Sequence, residues 1–175
     1  LNANGCVVRP IDYDLDGDID LFIGGHNKPG SYPLADKSYL LNNNNGYFED
    51  FTNSVLPNLD QFGLVNDAQW ADLNKDGRKD LILVGEYSPI VIFLNLNNGF
   101  QRLSSETLDE AMGLWRCIEV IDYDYDGDLD LLLGNLGKNN MLSVSSKSPL
   151  IISTRDLDKN GSVDPLMFNS QQNKN

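Results

Sequence analysis

The sequence predicts an all-β fold, a partial β-propeller built from four-stranded antiparallel units. Three observations predict it. Short apolar runs of three to five residues recur, bounded by glycine or polar turns, as strands are. One nine-residue Asp/Gly loop occurs four times, at steps of tens of residues, the spacing of repeat architectures. Helical patterning is sparse, the best candidate being the short stretch Glu106 to Met112.

Taken in order, Cys6-Val7-Val8 is a strand leading into the first loop. Leu21-Phe22-Ile23 leaves that loop and stops at Gly24, so the two strands form a hairpin. Ser38 to Leu41 is a third strand, Asn42 to Gly46 a turn, and Tyr47 to Phe51 a fourth strand. The second unit repeats the pattern: a loop, Leu81-Ile82-Leu83-Val84 up to Gly85, Ile90 to Leu94, the turn Asn95 to Gly99, and Phe100 to Leu103. The third begins with Cys117 to Ile121 and continues, after its loop, with Leu131-Leu132-Leu133 up to Gly134. Runs this apolar are expected to be buried on both faces. Only 34 residues separate the third and fourth loops, so Asn139 to Ile152 has less room for a strand pair. Ile151-Ile152 enters the fourth loop, and Pro165 follows it where Leu21, Leu81 and Leu131 stand in the others. Proline cannot donate to a ladder, so an edge position or a strand start is expected there.

These units divide the chain into one repeat domain. The divisions are about 6–55, 64–104 and a shortened 113–153, then a first hairpin of a fourth unit at 154–168 and a frayed tail at 169–175. Complete propellers have about four to eight blades, so the segment is expected to be an arc of a larger ring whose exposed end faces invite self-association. It does not begin with Met and is expected to be a piece of a longer protein.

The loops carry the chemistry. They are Asp12-Tyr13-Asp14-Leu15-Asp16-Gly17-Asp18-Ile19-Asp20, Asp72-Leu73-Asn74-Lys75-Asp76-Gly77-Arg78-Lys79-Asp80, Asp122-Tyr123-Asp124-Tyr125-Asp126-Gly127-Asp128-Leu129-Asp130 and Asp156-Leu157-Asp158-Lys159-Asn160-Gly161-Ser162-Val163-Asp164. Each sets side-chain oxygens at positions 1, 3, 5 and 9 and glycine at 6. Position 7 (Asp18, Arg78, Asp128, Ser162) adds a backbone carbonyl. Hard oxygen ligands at this spacing suit Ca²⁺, which accepts six to eight oxygens in flexible geometry. Mg²⁺ demands a tighter octahedron, and Zn²⁺ would want the His or Cys that the loops lack. Up to four ions are expected. Loops one and three have four carboxylates each and should bind more tightly than loops two and four, where Asn74 and Asn160 replace one. The plain alternative is a set of Asp/Gly surface turns; four copies with identical ligand spacing argue against it. These are not EF-hands, because position 12 is apolar in every copy (Ile23, Leu83, Leu133, Met167) and strands, not helices, flank the loops.

Composition fits. The chain of 175 residues has 26 acidic and 13 basic residues, a net charge of −13. Ligand positions account for 14 of those acids, and four bound Ca²⁺ would bring the charge to −5. The acidity is therefore mostly ligand charge, and it excludes a nucleic-acid partner, which needs a basic surface. No apolar stretch is long enough to span a membrane.

Other candidates are weaker. His26, the one histidine, follows Gly24-Gly25 past a strand and is expected to be exposed; one histidine among many serines makes no triad. Cys6 and Cys117 define no disulfide framework and read as small buried hydrophobes. The acids outside the loops form no pair of the kind glycoside hydrolysis needs. Gly134 to Lys138 lacks the spacing of a phosphate loop. Trp70 and Trp115 read as packing between units, and Lys28 to Pro33 as a loop where binding residues often sit.

The four loops, together with Leu41-Asn42-Asn43-Asn44-Asn45-Gly46-Tyr47-Phe48-Glu49-Asp50-Phe51-Thr52 and Gly134-Asn135-Leu136-Gly137, resemble the FG-GAP and VCBS repeat superfamily, which includes the integrin α-chain propellers. The resemblance covers most of residues 6 to 168. It implies a calcium-binding propeller array without catalytic residues, secreted or on a cell surface, in which calcium is structural. Adhesion, or binding of a protein or carbohydrate ligand, is the expected role. The alternative is a non-catalytic or substrate-binding propeller part of a larger extracellular polysaccharide-active enzyme.

Overall fold

The computed structural model describes residues 3–59, 62–137 and 148–169. Twelve strands and two one-turn helices make up the described chain. They run β1 (Gly5–Ile11), β2 (Asp20–Gly25), β3 (Tyr39–Asn44), β4 (Tyr47–Asp50), α1 (Thr52–Val55), β5 (Leu64–Ala71), β6 (Asp80–Ser88), β7 (Val91–Leu96), β8 (Gly99–Arg102), α2 (Glu106–Glu110), β9 (Gly113–Ile121), β10 (Asp130–Asn135), β11 (Leu150–Arg155) and β12 (Asp164–Asn169).

Every pairing between these strands is antiparallel. The first sheet is the meander β1-β2-β3-β4. The strands β5 to β8 pair in the same consecutive way. The four Asp/Gly loops join β1 to β2, β5 to β6, β9 to β10 and β11 to β12, closing on Ile11↔Asp20, Ala71↔Asp80, Ile121↔Asp130 and Arg155↔Asp164. The far end of β6 also pairs with the start of β9, through Glu86↔Leu114 and Ser88↔Gly113. The second and third units thus share one six-stranded sheet rather than standing as separate sheets.

Period-two alternation assigns the core. In β6, Leu81 and Leu83 pack toward the first sheet, in a cluster with Phe22, Leu40, Val65, Ala68, Phe93 and Phe100. Ile82 and Val84 face the other way, into a cluster with Ile92 and Ile118 against which Leu131 and Leu133 pack. So β6 is buried on both faces, as its composition predicts. The other two runs are not: Leu21 and Ile23 are half-buried and Leu132 is 43% exposed. The middle unit has a neighbour on each side, whereas among the described residues each flanking hairpin has one. Trp70 lies between the units, its ring edge-on to Phe22 at 6.4 Å and tilted against Phe100 at 5.9 Å.

Several expectations need correction. Cys6 and Cys117 are exposed, whereas the next residue along each strand, Val7 and Ile118, is the one turned into the apolar clusters. His26 is half-buried, its ring lying 3.9 Å from the Glu86 carboxylate. The strand expected to end before Asn42 runs on to Asn44, so the turn is only Asn45-Gly46, both with positive φ. The predicted helix stops at Glu110. Pro165 is the second residue of β12, opposite Thr154 in a two-stranded hairpin where neither strand has a further partner among the described residues. Most of the shortened stretch at 139–152, and the tail beyond Asn169, lie outside the described residues.

A device invisible in the composition repeats along the first strands. The pairing register slips at Cys6 in β1, Asn66 in β5 and Arg116 in β9. Each of these bulge residues stands six positions before its loop. A bulge turns a residue out of the ladder and re-aims its side chain. Here Cys6 Sγ reaches the Asn66 carbonyl at 3.7 Å and Asn66 Nδ2 donates to the Trp115 carbonyl at 2.7 Å, so each reaches the next unit. Beside them, Asp67 accepts Arg9 Nη2 of the preceding unit at 2.6 Å and the Ile118 amide of the following one at 3.1 Å.

Candidate metal centres

All four loops adopt one backbone course. Position 4 is left-handed in each, at φ 64° for Leu15, 59° for Lys75, 62° for Tyr125 and 61° for Lys159. The glycine at position 6 is also at positive φ, between 89° and 96°. Glycine takes that conformation freely, but for leucine or tyrosine it costs on the order of 1 kcal/mol. Four such residues at one position indicate that the loop geometry is imposed by its hydrogen bonds.

Those bonds use one oxygen after another. In loop one the Asp16 amide donates to Asp12 Oδ1 and Asp14 Oδ1, the Gly17 amide to Asp12 Oδ2, and the Asp18 amide to Asp16 Oδ1. Loop two repeats this with Asp72, Asn74, Asp76 and Arg78, and loop four with Asp156, Asp158, Asn160 and Ser162. Loop three differs at one atom. The Asp126 amide reaches Asp124 but not Asp122, so Asp122 Oδ1 is buried without a hydrogen-bond partner.

The carboxylates at positions 1, 3 and 9 converge. Asp12, Asp14 and Asp20 form one trio with ligand atoms within 4.8 Å of each other, Asp122, Asp124 and Asp130 a second, and Asp156, Asp158 and Asp164 a third. In loop two Asn74 takes the middle place between Asp72 and Asp80. Asp16 and Asp126, expected at position 5, lie outside these trios; one oxygen of each accepts the position-7 amide, as does the single side-chain oxygen of Asn160. Position-7 side chains turn elsewhere, as expected if only the carbonyl serves: Asp18 Oδ2 accepts the Asn45 amide and Asp128 Oδ1 accepts Lys75 Nζ.

Position 9 does more than the spacing implied. Asp20 and Asp80 are completely buried. In each, Oδ2 accepts the amide at position 2 (Tyr13, Leu73) and Oδ1 accepts an amide of the third strand of the sheet (Asn43, Asn95). Asp130 and Asp164 keep the first of these bonds, from Tyr123 and Leu157. The side chain therefore staples loop to sheet. Burial pushes the Asp20 and Asp80 carboxyls up, their two amide bonds pull them down, and the neighbouring aspartates push them up again. Burial first, then the charges of Asp14, Asp20 and Asp16, push the Tyr13 phenol up to about 12 against one lowering bond from Asn42.

The asparagine run also has a task that composition could not reveal. Asn42 Nδ2 donates to Asp14 Oδ2 at 2.9 Å, Asn43 Nδ2 to the Ile19 carbonyl at 3.0 Å, and the Asn45 amide holds Asp18. Asn95 Nδ2 donates to the Tyr13 carbonyl at 2.8 Å, tying the second sheet to the first loop. No sequence interval predicts these partners, because the connections from loop to third strand differ in length between units.

The arrangement fits a hard divalent cation. The donors are all oxygens, they converge, loops one, three and four carry a net negative charge while the three aspartates of loop two are balanced by Lys75, Arg78 and Lys79, and one buried carboxylate oxygen has no proton donor. Grooves on the described surface include one of about 430 Å³ between Arg9, Gln69, Glu119 and Leu132, and one of about 490 Å³ between Pro57, Phe62 and Phe100. Neither lies on the loops. Two copies of the FG-GAP-like repeat match this chain, over residues 12–83 and 72–133. Each match runs from one Asp/Gly loop through the apolar run after the next, and together they span well over half of the chain. Comparison with curated proteins finds no match.

Proposed function

The chain belongs to the FG-GAP-like repeat family, and from that premise we propose that it is a calcium-stabilised β-propeller module of a secreted or cell-surface protein. It acts without catalysis of its own and presents its surface to a protein or carbohydrate ligand. One observation carries the reading: the convergence of the position 1, 3 and 9 carboxylates on loops of identical backbone course. Asp12, Asp14, Asp16 and Asp20 would hold one ion, and Asp72, Asn74, Asp76 and Asp80 a second. Asp122, Asp124, Asp126 and Asp130 would hold a third, and Asp156, Asp158, Asn160 and Asp164 a fourth. The carbonyls of Asp18, Arg78, Asp128 and Ser162 would complete these sets; at position 5 Asp16 and Asp126 would join through the oxygen that the position-7 amide leaves free, Asp76 by giving up the bond from Asn74, and Asn160 through the one oxygen that also accepts the Ser162 amide.

Calcium supplies charge neutralisation and a rigid cross-link. The chain supplies ligands already oriented by loop amides, at strand junctions where a fixed turn sets the register of the whole hairpin. Because carboxylates alone repel, binding free energy becomes folding free energy. Consecutive four-stranded meanders packed face to face support the propeller reading. Extracellular calcium, in the range where modules with Kd about 10⁻⁴–10⁻³ M bind, supports an exported setting. None of the described helices is long and apolar enough to cross a membrane.

Thermal unfolding followed by circular dichroism tests the reading. At calcium a hundred times Kd each site adds about 2.7 kcal/mol, so EDTA should lower the Tm by several degrees and Mg²⁺ should restore little of it. An unchanged melting curve would rule out structural calcium.

A further inference from the structure

We propose that Lys75 couples the second and third loops, so that a divalent cation held by loop two strengthens cation binding at loop three. This rests on the calcium reading above and adds a connection between two of its sites. Lys75 is position 4 of loop two, between the ligand residues Asn74 and Asp76, in the left-handed conformation. Its ammonium leaves its own loop. Nζ donates to Asp128 Oδ1 at 2.7 Å and to the Gly127 carbonyl at 3.0 Å. Those residues are positions 6 and 7 of loop three: the turn glycine, and the residue whose carbonyl is an expected ligand.

The contact fills a gap. In loop one the position-7 carboxylate of Asp18 is held by the Asn45 amide, from the turn between the third and fourth strands of its own sheet. The third unit has no such strand pair next to β10 among the described residues. Asp128 is held by the neighbouring loop instead. Among the other position-4 residues, Leu15 and Tyr125 carry no charge, and Lys159, which does, belongs to the last of the four loops. Loop three is also where Asp122 Oδ1 is left without a partner, so its geometry is the least complete by itself.

Two effects oppose each other. A cation gripped by Asn74 and Asp76 fixes the backbone at Lys75 between them. The backbone ordering that the Lys75–Asp128 contact requires is then already met, so the contact costs less entropy and holds the Gly127–Asp128 segment in place. Against this, an ammonium near loop three repels a second cation. Here it is paired one to one with a carboxylate that is not itself a ligand, and the pair is close to neutral seen from the site. Both side chains are exposed and screened by salt, so the residual repulsion is small. The ordering effect wins, and the coupling is positive.

The test is a calcium titration of the ¹⁵N-labelled chain, read site by site from the amide resonances of Gly77 for loop two and Gly127 for loop three. Disabling loop two with Asp72→Ala should raise the midpoint at Gly127 about two- to five-fold, the range of exposed ion pairs. In a Lys75→Met background the same substitution should leave that midpoint unmoved, while Lys75→Arg, which keeps the charge and reach, should preserve the coupling. The Gly17 midpoint of loop one should be constant throughout, which guards against misfolding. An unmoved Gly127 midpoint in Asp72→Ala, or a shift that survives Lys75→Met, overturns the proposal and leaves the calcium reading standing. Absence of any calcium response at Gly77 and Gly127 in the unaltered chain overturns both.

Discussion

The aspartate at position 9 has two roles that separate under mutation. Asp80 is completely buried and accepts two backbone amides, from Leu73 and Asn95. Asp124, at position 3 of loop three, is exposed and accepts only the Asp126 amide. Leaving buried amides unpaired costs about 1–3 kcal/mol each, partly offset in the metal-free state by removal of a buried charge. Asp80→Ala should therefore lose roughly 2 kcal/mol in urea unfolding even in EDTA. Asp124→Ala should change stability in EDTA by less than about 0.5 kcal/mol, yet lose the calcium-dependent increment of loop three. Equal losses for the two variants in EDTA would refute the stapling role of position 9. The spacing of the aspartates shows which side chains can converge. It does not show that one of them is also structural, because the amides concerned lie in a different strand.

At the scale of the element, three strands of similar composition meet three different environments. Phe22, Ile82 and Leu132 each stand second in the apolar run after a loop. Phe22 and Ile82 are fully buried, while Leu132 is 43% exposed. Side chains at this place face the next unit along the chain. Phe22 meets the second sheet and Ile82 meets the third hairpin, whereas Leu132 has no such neighbour among the described residues. Truncating a fully buried isoleucine costs about 2–5 kcal/mol. Ile82→Ala should fall in that range, and Leu132→Ala should lose less than about 1 kcal/mol, as measured by chemical denaturation in calcium. Similar losses would mean that the outer face of β10 is covered in solution. Strand identity was readable in all three runs from composition and flanking glycine. Burial was readable only for β6, because it depends on the neighbours that a strand acquires.

Across the whole molecule, the ends of the strands remote from the loops are joined by a polar cluster spanning three units. Glu86 at the end of β6 is buried, accepting the Tyr32 hydroxyl at 2.7 Å from the first unit and Arg116 Nη1 at 2.5 Å from the third. Since the single Tyr32 proton goes to Glu86, the Tyr87 hydroxyl donates to Tyr32 at 2.8 Å. Burial, then the bonds with Tyr87 and Glu86, raise the Tyr32 phenol well above the ordinary tyrosine range. The unfolded chain releases that proton near pH 10 and the folded chain keeps it. Its contribution to stability is complete below about pH 10 and is lost as pH rises from there toward the folded value. Tyr32→Phe should cost about 1 kcal/mol at neutral pH and flatten the alkaline fall in stability, measured by urea unfolding across pH 8 to 11. An unaltered alkaline limb would exclude Tyr32 as its source.

The sequence by itself determined the four loops, their oxygen-bearing side chains, the hairpins they close and the all-β class. All of these depend on intervals of a few residues, where covalent geometry limits the outcomes. Asp12, Asp14 and Asp20 must lie near one another if Gly17 turns as its neighbours require. The bulges at Cys6, Asn66 and Arg116, the clasp of Asp67 between Arg9 and Ile118, the reach of Lys75 to Asp128, and the exposure of both cysteines were decided by the tertiary structure alone. Each joins residues tens of positions apart, or depends on which face of a sheet finds a neighbour. Nothing local in the chain fixes such a meeting; it follows from how one unit stacks on the next.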